Sequence, residues 1–320
     1  MLAVASALLA AVTLLWPHVV QQKDFVNRML AEAQRNVPDK ASINMQHVMF
    51  KSEDSKHQPY TITAENIIET DVDNSIITLH NPTSSMKLNS GLTLTAKSPT
   101  AILLQEEKVL KMHDPVSITA DNGHKATVSE LTIDEKDRSA ESPSPITLSG
   151  PQVSIKAESF SLQDNGDNIF LYGKSQVHFR DTNKDKKMSL FAHKEIHFDR
   201  STNTLTAEES TQLRDGTNVL KADRLVIHLN EIGYYKYELK DLEAYGNVIV
   251  KTPTDIVRGD EATYDMDTAV VTGNAQIERK GGKLAGAKIS IDLHTGISKI
   301  VSTPTQRVKG HFIPAMFKEN

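Results

Sequence analysis

The sequence predicts an all-β protein built from repeated antiparallel hairpins. The first observation is a short phrase, with apolar residues two apart and a small residue at its end, that recurs along the 320 residues. The small residues that close it are Ala64, Ala96, Ala126, Ala157, Ala192, Ala222, Gly259 and Gly286. Their separations range from 27 residues (259 to 286) to 37 residues (222 to 259). A period of about 30 residues indicates an array of repeated units.

The alternation inside each phrase is the second observation. Residues two apart on a strand point to the same face, so Val153, Ile155 and Ala157 share one face. Turn-forming stretches lie at 71–74, 164–167, 200–203 and 294–296, and further strand-like segments lie at 75–79, 145–148, 169–172 and 269–272. Such hairpins, stacked in order, would bury a continuous apolar core or channel in an open roll rather than a closed barrel. A right-handed parallel β-helix is the competing geometry.

Ahead of the strands, residues 1–22 contain no Asp, Glu, Lys or Arg. At about 1.5 Å per residue this segment reaches roughly 33 Å as a helix, enough to cross a hydrocarbon core of about 30 Å. Trp16 stands where a membrane-interface anchor belongs. We therefore expect a transmembrane anchor at 1–22. A cleaved signal peptide is the alternative, although no convincing small-x-small site precedes Gln21.

The charges around this span bear on its orientation. Lys23, Arg28, Arg35 and Lys40 follow the span, and nothing basic precedes it. The positive-inside rule, taken literally, would place the rest of the chain in the cytoplasm. We favour the explanation that upstream residues are missing from this start.

The remaining elements follow in order along the chain. From Phe25 onward, apolar residues recur every four positions, which predicts a helical juxtamembrane linker at 23–41 that Pro38 ends. The β region divides at the polar stretch 181–187. We expect a first β block at 42–181, a second β block at 188–310 and a C-terminal tail at 311–320.

Composition excludes several classes of function. A formal net charge of −5, without a run of Lys and Arg interleaved with aromatic residues, argues against nucleic-acid binding. The absence of cysteine excludes disulfides and thiolate chemistry. No nucleophile elbow, phosphate-binding loop or nucleotide fingerprint occurs, so we expect no catalytic residue and no cofactor. His193, Glu195 and His197 would share one strand face, which zinc accepts, but they lack the helical His-Glu-x-x-His pattern, and we expect no metal site.

Two parts of the chain carry a family resemblance. The segments 244–250 and 258–277, with Gly246-Asn247-Val248 in the first, resemble the OstA/LptA family of lipopolysaccharide transport proteins over about 188–310. The first block, with its membrane span and the strand 60–65, resembles LptC over about 1–181. LptC proteins usually consist of the anchor and one β-jellyroll, so the chain resembles an LptC with an LptA-like extension. One departure is that Lys174 and Ser175 stand where the first block should carry Asn-Val.

The resemblance implies two stacked open β-jellyrolls behind one transmembrane helix. It implies a single-pass protein of the inner membrane, with its β domains in the periplasm of a Gram-negative bacterium. Such a protein accepts lipopolysaccharide from an inner-membrane ABC transporter of the LptB/LptF/LptG kind and has no catalytic activity. An LptA-like or LptD-like protein would dock on the C-terminal sheet edge. We expect the segment 312–317 to join that contact, a packed or frayed tail being the alternative.

An apolar groove would serve this transport, because exposing a twelve-carbon acyl chain to water costs roughly 9 kcal/mol at about 0.8 kcal/mol per methylene. The residues expected to line the groove lie on the anchor faces: Ile62, Leu92, Leu94, Ile155, Leu190, Leu220, Val257 and Leu284. An ordinary sandwich core is the alternative for each of them. Two other functions remain open: a scaffold that binds proteins through its sheet edges without lipid, and a wall-polysaccharide hydrolase, which would need carboxylates grouped in one cleft.

Overall fold

The computed structural model describes residues 44–312 apart from 54–58, 72–75, 88–92, 105, 108, 135, 138, 152, 165–166, 182–185, 234–235, 266, 280–281, 293–294 and 303–306. The expected anchor at 1–22 and the expected helical linker at 23–41 lie outside these residues. Within the described part of the chain, no helix is long and apolar enough to span a bilayer. The chain divides between Tyr172 and Gly173 into two compact units, termed here the N-terminal unit and the C-terminal unit.

Three long strands of the N-terminal unit, at 59–71, 109–120 and 125–134, change pairing partners near their middle, and this point is termed here the bend. The strands are β1 (Asn44–Glu53), β2 (Pro59–Asp71), β3 (Ile76–His80), β4 (Thr83–Lys87), β5 (Thr93–Lys97), β6 (Thr100–Leu104), β7 (Val109–Ala120), β8 (Lys125–Asp134), β9 (Ser139–Ser142), β10 (Ile146–Ser149), β11 (Val153–Ala157), β12 (Ser159–Gln163) and β13 (Asn168–Tyr172). In β2, residues 60–63 pair with β4, whereas residues 66–71 pair with β3. The two ends of a bent strand therefore belong to two different half-sheets.

The strand order in each half-sheet follows from these pairings. Half-sheet 1 of the N-terminal unit runs β2–β4–β5–β7–β8–β10–β11. Half-sheet 2 runs β2–β3–β6–β7–β8–β9–β12–β13. Strand β1 pairs along the length of β2. Buried and exposed residues alternate in strands such as β8 and β10, so each of these strands turns one face to a core.

The C-terminal unit repeats this arrangement. Its strands are β14 (Ser175–Asp181), β15 (Lys186–Ala192), β16 (Glu195–Asp199), β17 (Thr204–Asp215), β18 (Asn218–Gly233), β19 (Lys236–Lys251), β20 (Asp255–Tyr264), β21 (Thr268–Thr272), β22 (Gln276–Arg279), β23 (Gly282–Ala285), β24 (Lys288–Asp292), β25 (Ser298–Val301) and β26 (Lys309–Phe312). Half-sheet 1 runs β14–β15–β17–β18–β19–β20–β22–β23–β26. Half-sheet 2 runs β16–β17–β18–β19–β20–β21–β24–β25.

The pairings confirm the all-β, antiparallel prediction. The strand pairs named above are antiparallel throughout, which contradicts the parallel β-helix. Two expected turns are present: Asp167 N–H donates to the Asp164 carbonyl (3.2 Å), and Asn203 N–H donates to the Arg200 carbonyl (3.3 Å). Within the stretch expected to separate two blocks, Asp181 of β14 and Lys186 of β15 are Cα partners. The block limits 42–181 and 188–310 stay predictions.

The small residues that end the repeated phrase stand at or near the bends. Ala64, Ala96, Ala157, Ala192 and Ala222 are each 2–5% exposed. Gly259 shows why the position must be small. A Cβ atom there would lie 2.4 Å from Val271 Cγ1 and 2.7 Å from the Thr272 carbonyl oxygen. The neighbouring strand thus approaches too closely for a larger side chain at this position. The small residues recur about every 30 residues because each stands at or near the line along which the two half-sheets join.

Candidate functional site

A continuous apolar row crosses half-sheet 1 of the C-terminal unit. Successive Cα partners are Val177, Leu190, Leu213, Leu220, Val250, Val257, Ile277 and Leu284. Leu220 and Leu284 are half-buried, and the others are at most 8% exposed. Opposite residues on one sheet face have Cβ atoms about 4.5–5.5 Å apart, so their side chains touch. We call this line the first apolar row.

Half-sheet 2 of the same unit supplies a second apolar surface. One line of Cα partners is Ile196, Ala207, Leu225, Ala244, Ala262, Val271 and Ile289, all buried. The next line, two residues farther from the bends, is Phe198, Leu205, Ile227, Leu242, Tyr264, Ala269 and Ile291. Alanines are concentrated in the line nearer the bends. Smaller side chains there leave room for the half-sheets to converge.

A cavity of ≈ 280 Å³ lies between the two half-sheets. From half-sheet 1 its wall takes Met188, Leu213, Val219, Leu220 and Val250; from half-sheet 2 it takes Leu239, Leu242, Ala262, Thr263, Tyr264 and Ala269. Asp215 and Asn218, which flank the β17–β18 turn, add polar groups. A largely apolar wall with a few polar groups is typical of sites for apolar ligands. We call this cavity the apolar cleft.

The N-terminal unit has a corresponding row in its half-sheet 1. Successive Cα partners are Ile62, Ser84, Ala96, Ile118, Ala126, Leu148 and Ile155. Most of these side chains are small or completely buried, and Ile62 is half-buried. The backbone of Leu94 lies in the neighbouring line, where Leu94 pairs with Met86 and Ala120. With Ser84, Ala96 and Ala126 among its members, this row contains smaller side chains than the first apolar row of the C-terminal unit.

The structure brings most of the expected groove residues into these rows. Leu190, Leu220, Val257 and Leu284 lie together in the first apolar row, and Ile62 and Ile155 lie together in the row of the N-terminal unit. Leu220 also lines the apolar cleft. Leu92 lies outside the described residues. Their role in holding lipid stays a prediction.

Apart from Leu220, the residues of the cleft wall were not predicted from the sequence. Leu213 and Val250 are the Cα partners of Leu220, yet they stand on the strands that return after the repeated phrase. Leu239 and Leu242 belong to the other half-sheet. The signal that could have found Leu213 and Val250 is the alternation of their own strands, because residues two apart on these strands also point inward.

Hydrogen bonds between Asn and Asp side chains connect neighbouring strands at the bends of the C-terminal unit. Asn247 Nδ2 donates to Asp223 Oδ2 (2.7 Å), and Asn274 Nδ2 donates to Asp260 Oδ2 (2.8 Å). Both asparagines have positive φ, and each follows a glycine that also has positive φ. A Cβ atom at Gly273 would lie 2.6 Å from Asp260 Oδ2. The Gly-Asn pair of the family motif therefore shapes the bends rather than the cleft.

Zinc binding was considered, and not expected, for the strand around Glu195. His193 Nδ1 lies 3.4 Å from the Ser210 carbonyl oxygen, and Glu195 and His197 are the Cα partners of Glu208 and Thr206. Across the residues that the structure describes, no group of three His, Asp or Glu side chains could hold a metal ion.

The C-terminal edge of the sheet carries exposed apolar residues. Within the described residues, β25 pairs only with β24, and β26 pairs only with β23. Ile297 is 58% exposed, Val301 46% and Val308 43%. Residues 313–317 of the expected docking segment lie outside the described residues. Unpaired backbone groups beside exposed apolar side chains are what a strand of another protein can pair with.

Comparison with known proteins gives two matching family models. Residues 7–180 match the model described as lipopolysaccharide-assembly, LptC-related. Residues 192–297 match the model of LptA and the LptD N-terminal domain, described as an LPS transport protein. Comparison with curated proteins found no match.

Among solved structures, the chain is similar to LptH of Pseudomonas aeruginosa, described as the LptA-homologous periplasmic component of the conserved lipopolysaccharide transport device. The similarity covers 40% of this chain and 95% of that chain, at 15% identity and a TM-score of 0.35. The LptC model spans more than half of the chain, and the LptA model follows it without overlap. The chain therefore belongs to the LptC-related family of lipopolysaccharide-assembly proteins and carries an LptA-like domain at its C-terminal end.

Proposed function

We propose that the protein is a membrane-anchored periplasmic carrier that accepts lipopolysaccharide from an inner-membrane ABC transporter and passes it along its β half-sheets toward the outer membrane. The observation that carries the proposal is the apolar cleft, whose walls come from the first apolar row and from half-sheet 2. Membership of the LptC-related family supports lipopolysaccharide as the lipid.

The energetic need for such a cleft is large. An acyl chain of twelve carbons costs roughly 9 kcal/mol to expose to water, at about 0.8 kcal/mol per methylene. A lipid with several chains therefore requires continuous shielding. The first apolar row crosses eight paired strands without a polar residue, and Leu220, half-buried in the cleft wall, is accessible to a ligand.

The partners follow from the two ends of the chain. We propose that the anchor at 1–22, with Trp16 at the membrane interface, and the N-terminal unit engage a transporter of the LptB/LptF/LptG kind in the inner membrane of a Gram-negative bacterium. The open edge at β25 and β26 would accept an LptA-like or LptD-like protein, because its exposed Ile297, Val301 and Val308 lie beside strands free to pair. We propose a role in transport and none in catalysis.

A scaffold that binds proteins without carrying lipid is the second candidate. The same exposed edge favours it, because edge pairing requires no lipid. Lipid contact inside the cleft separates the two functions.

The test is photo-crosslinking in intact cells from probes at Leu213 and Leu220, which line the cleft. Lys221 follows Leu220 and is exposed on the opposite face of β18, so a probe there is the matched control. Lipopolysaccharide adducts from the two cleft positions only, dependent on ATP-driven transport, are expected. Folded, membrane-bound protein without adducts at either cleft position would reject the carrier and favour the scaffold.

A further inference from the structure

We propose that the C-terminal unit also binds a phosphate group, on the outer face of half-sheet 1. A second cavity, of ≈ 690 Å³, lies there at the ends of β19, β20, β22, β23 and β26. Its basic lining residues are Lys251, Arg279, Lys283 and His311. The turn residues Thr252 and Thr254 add hydroxyl groups. Several cationic and hydroxyl donors around one space are what a phosphate monoester requires.

The strand register brings these side chains to one face. Lys251, Ile256, Glu278, Lys283 and His311 are successive Cα partners across the five strands. Neighbouring strands lie about 4.8 Å apart, so the backbones of Lys251 and Lys283 are about 14 Å apart. Long flexible side chains from both sides can reach a group held between them.

The two carboxylates in the lining already accept hydrogen bonds from arginine side chains. Asp255 is 3% exposed and accepts hydrogen bonds from Arg279 Nε (2.5 Å) and Nη2 (2.6 Å). Glu278 accepts one from Arg258 Nη1 (3.3 Å). Neither Lys251 nor Lys283 forms an ion pair within the described part of the chain, and both are exposed. Two free ammonium groups therefore face a cavity whose acids are neutralised by arginines.

The position of this cavity links it to the apolar cleft. Val250 lines the cleft, and Lys251 follows it on the opposite face of β19; Val219, also in the cleft wall, is the Cα partner of Lys251. Across the cleft, the turns at the strand ends of half-sheet 2 carry Asp199, Asp265, Asp267 and Asp292. Asp215 stands in the cleft wall on the half-sheet 1 side, so carboxylates are more numerous on the half-sheet 2 side and repel an anion from it more strongly. If the proposed lipid function holds, the phosphorylated head group of a lipid in the cleft would lie at the lysine side.

The experiment compares K251Q/K283Q with the charge-matched K221Q/K288Q, which changes exposed lysines outside the cavity. Binding to the full chain is measured for lipopolysaccharide with and without its head-group phosphates, and for inorganic phosphate. Loss of two solvent-exposed charge contacts should weaken binding of the phosphorylated lipid about tenfold in K251Q/K283Q, with no change in the control. Binding of the dephosphorylated lipid should be equal in every variant.

The outcomes distinguish the site from the proposed function. Lysine-dependent binding of inorganic phosphate without any lipid binding would keep the site, assign it to free phosphate and reject the lipid carrier. Equal binding of phosphorylated lipid and of phosphate by wild type and K251Q/K283Q would overturn the site, whatever the cleft binds.

Discussion

At the scale of single residues, His124 is a buried titratable group whose ring is held by a neighbouring side chain. Its side chain is 4% exposed, and Nδ1 lies 2.8 Å from Asn122 Oδ1. Because an amide oxygen only accepts, Nδ1 carries the proton and Nε2 is bare. Nε2 is buried and has no hydrogen-bond partner among the described residues. Burial lowers the pKa of His124 below its ordinary value of 6.5, since the charged ring would lose its hydration.

This lowered pKa predicts a loss of stability in acid. Between the folded pKa of His124 and 6.5, the unfolded chain binds more protons than the folded chain. The contribution of His124 to the free energy of unfolding is therefore complete above pH 6.5, falls as the pH drops below it, and levels off below the folded pKa. Urea denaturation between pH 8 and pH 5 measures it. H124N should show a smaller loss over this range, and an equal loss in both proteins would contradict the assignment.

The same ring sets a size limit at Gly150. A Cβ atom there would lie 2.1 Å from His124 Cδ2 and 2.5 Å from Nε2. We expect G150A to lower the free energy of unfolding by about 1–3 kcal/mol, because the buried ring cannot move aside freely. S149A, at the exposed neighbouring position, is the control. In the H124A background the cost of G150A should shrink; an unchanged cost would place the clash elsewhere.

At the scale of elements, the bends depend on paired left-handed residues. Asn274 has φ 51°, follows Gly273 with φ 68°, and donates to Asp260. The pair is exposed, so its hydrogen bond contributes little, and the backbone requirement dominates. Non-glycine residues other than Asn and Asp pay about 1–2 kcal/mol in this conformation.

Two substitutions separate these contributions. N274G removes the hydrogen bond and keeps the permitted backbone, whereas N274A removes both. We expect N274A to be less stable than N274G by about 1 kcal/mol in urea denaturation. Equal stability of the two variants would show that φ does not limit stability at this bend, and any loss that they share relative to wild type would then be assigned to the side-chain hydrogen bond.

At the scale of the whole molecule, we propose that the apolar rows form core at some positions and lipid surface at others. Leu190 is 0% exposed, whereas Leu220 is half-buried in the cleft wall. L190A should cost about 2–5 kcal/mol of unfolding free energy, since it opens a closed cavity. L220A should cost less, because part of that side chain already faces the cleft.

For lipid binding we expect the opposite order, with substitution of Leu220 having a larger effect than substitution of Leu190. L220Q should weaken lipopolysaccharide binding several-fold while the protein stays folded, since a polar group would face the acyl chains. K221Q, one residue away on the opposite face, should bind as wild type. Measurements of binding and of unfolding on the same samples decide the outcome: if L220Q only unfolds the protein, Leu220 belongs to the core.

Much of this architecture can be predicted from the sequence because it is local. The apolar alternation marks strands such as β11 and β20, the Asp and Asn clusters mark turns, and the period of about 30 residues marks the bends. Every strand of this kind turns one face inward. For that reason Leu190, Leu220, Val257 and Leu284 could be placed on one face from their spacing alone.

Only the tertiary structure decided which strands meet. Leu213 joins Leu190 to Leu220 because of a register between strands, and Leu242 faces them from the other half-sheet. The cavity around Lys251 and Lys283 likewise exists because β19, β20, β22 and β23 pair in that order. A sequence records which face of each strand is apolar. Strand register and the separation of two half-sheets depend on contacts between distant residues, and these form only when the chain folds.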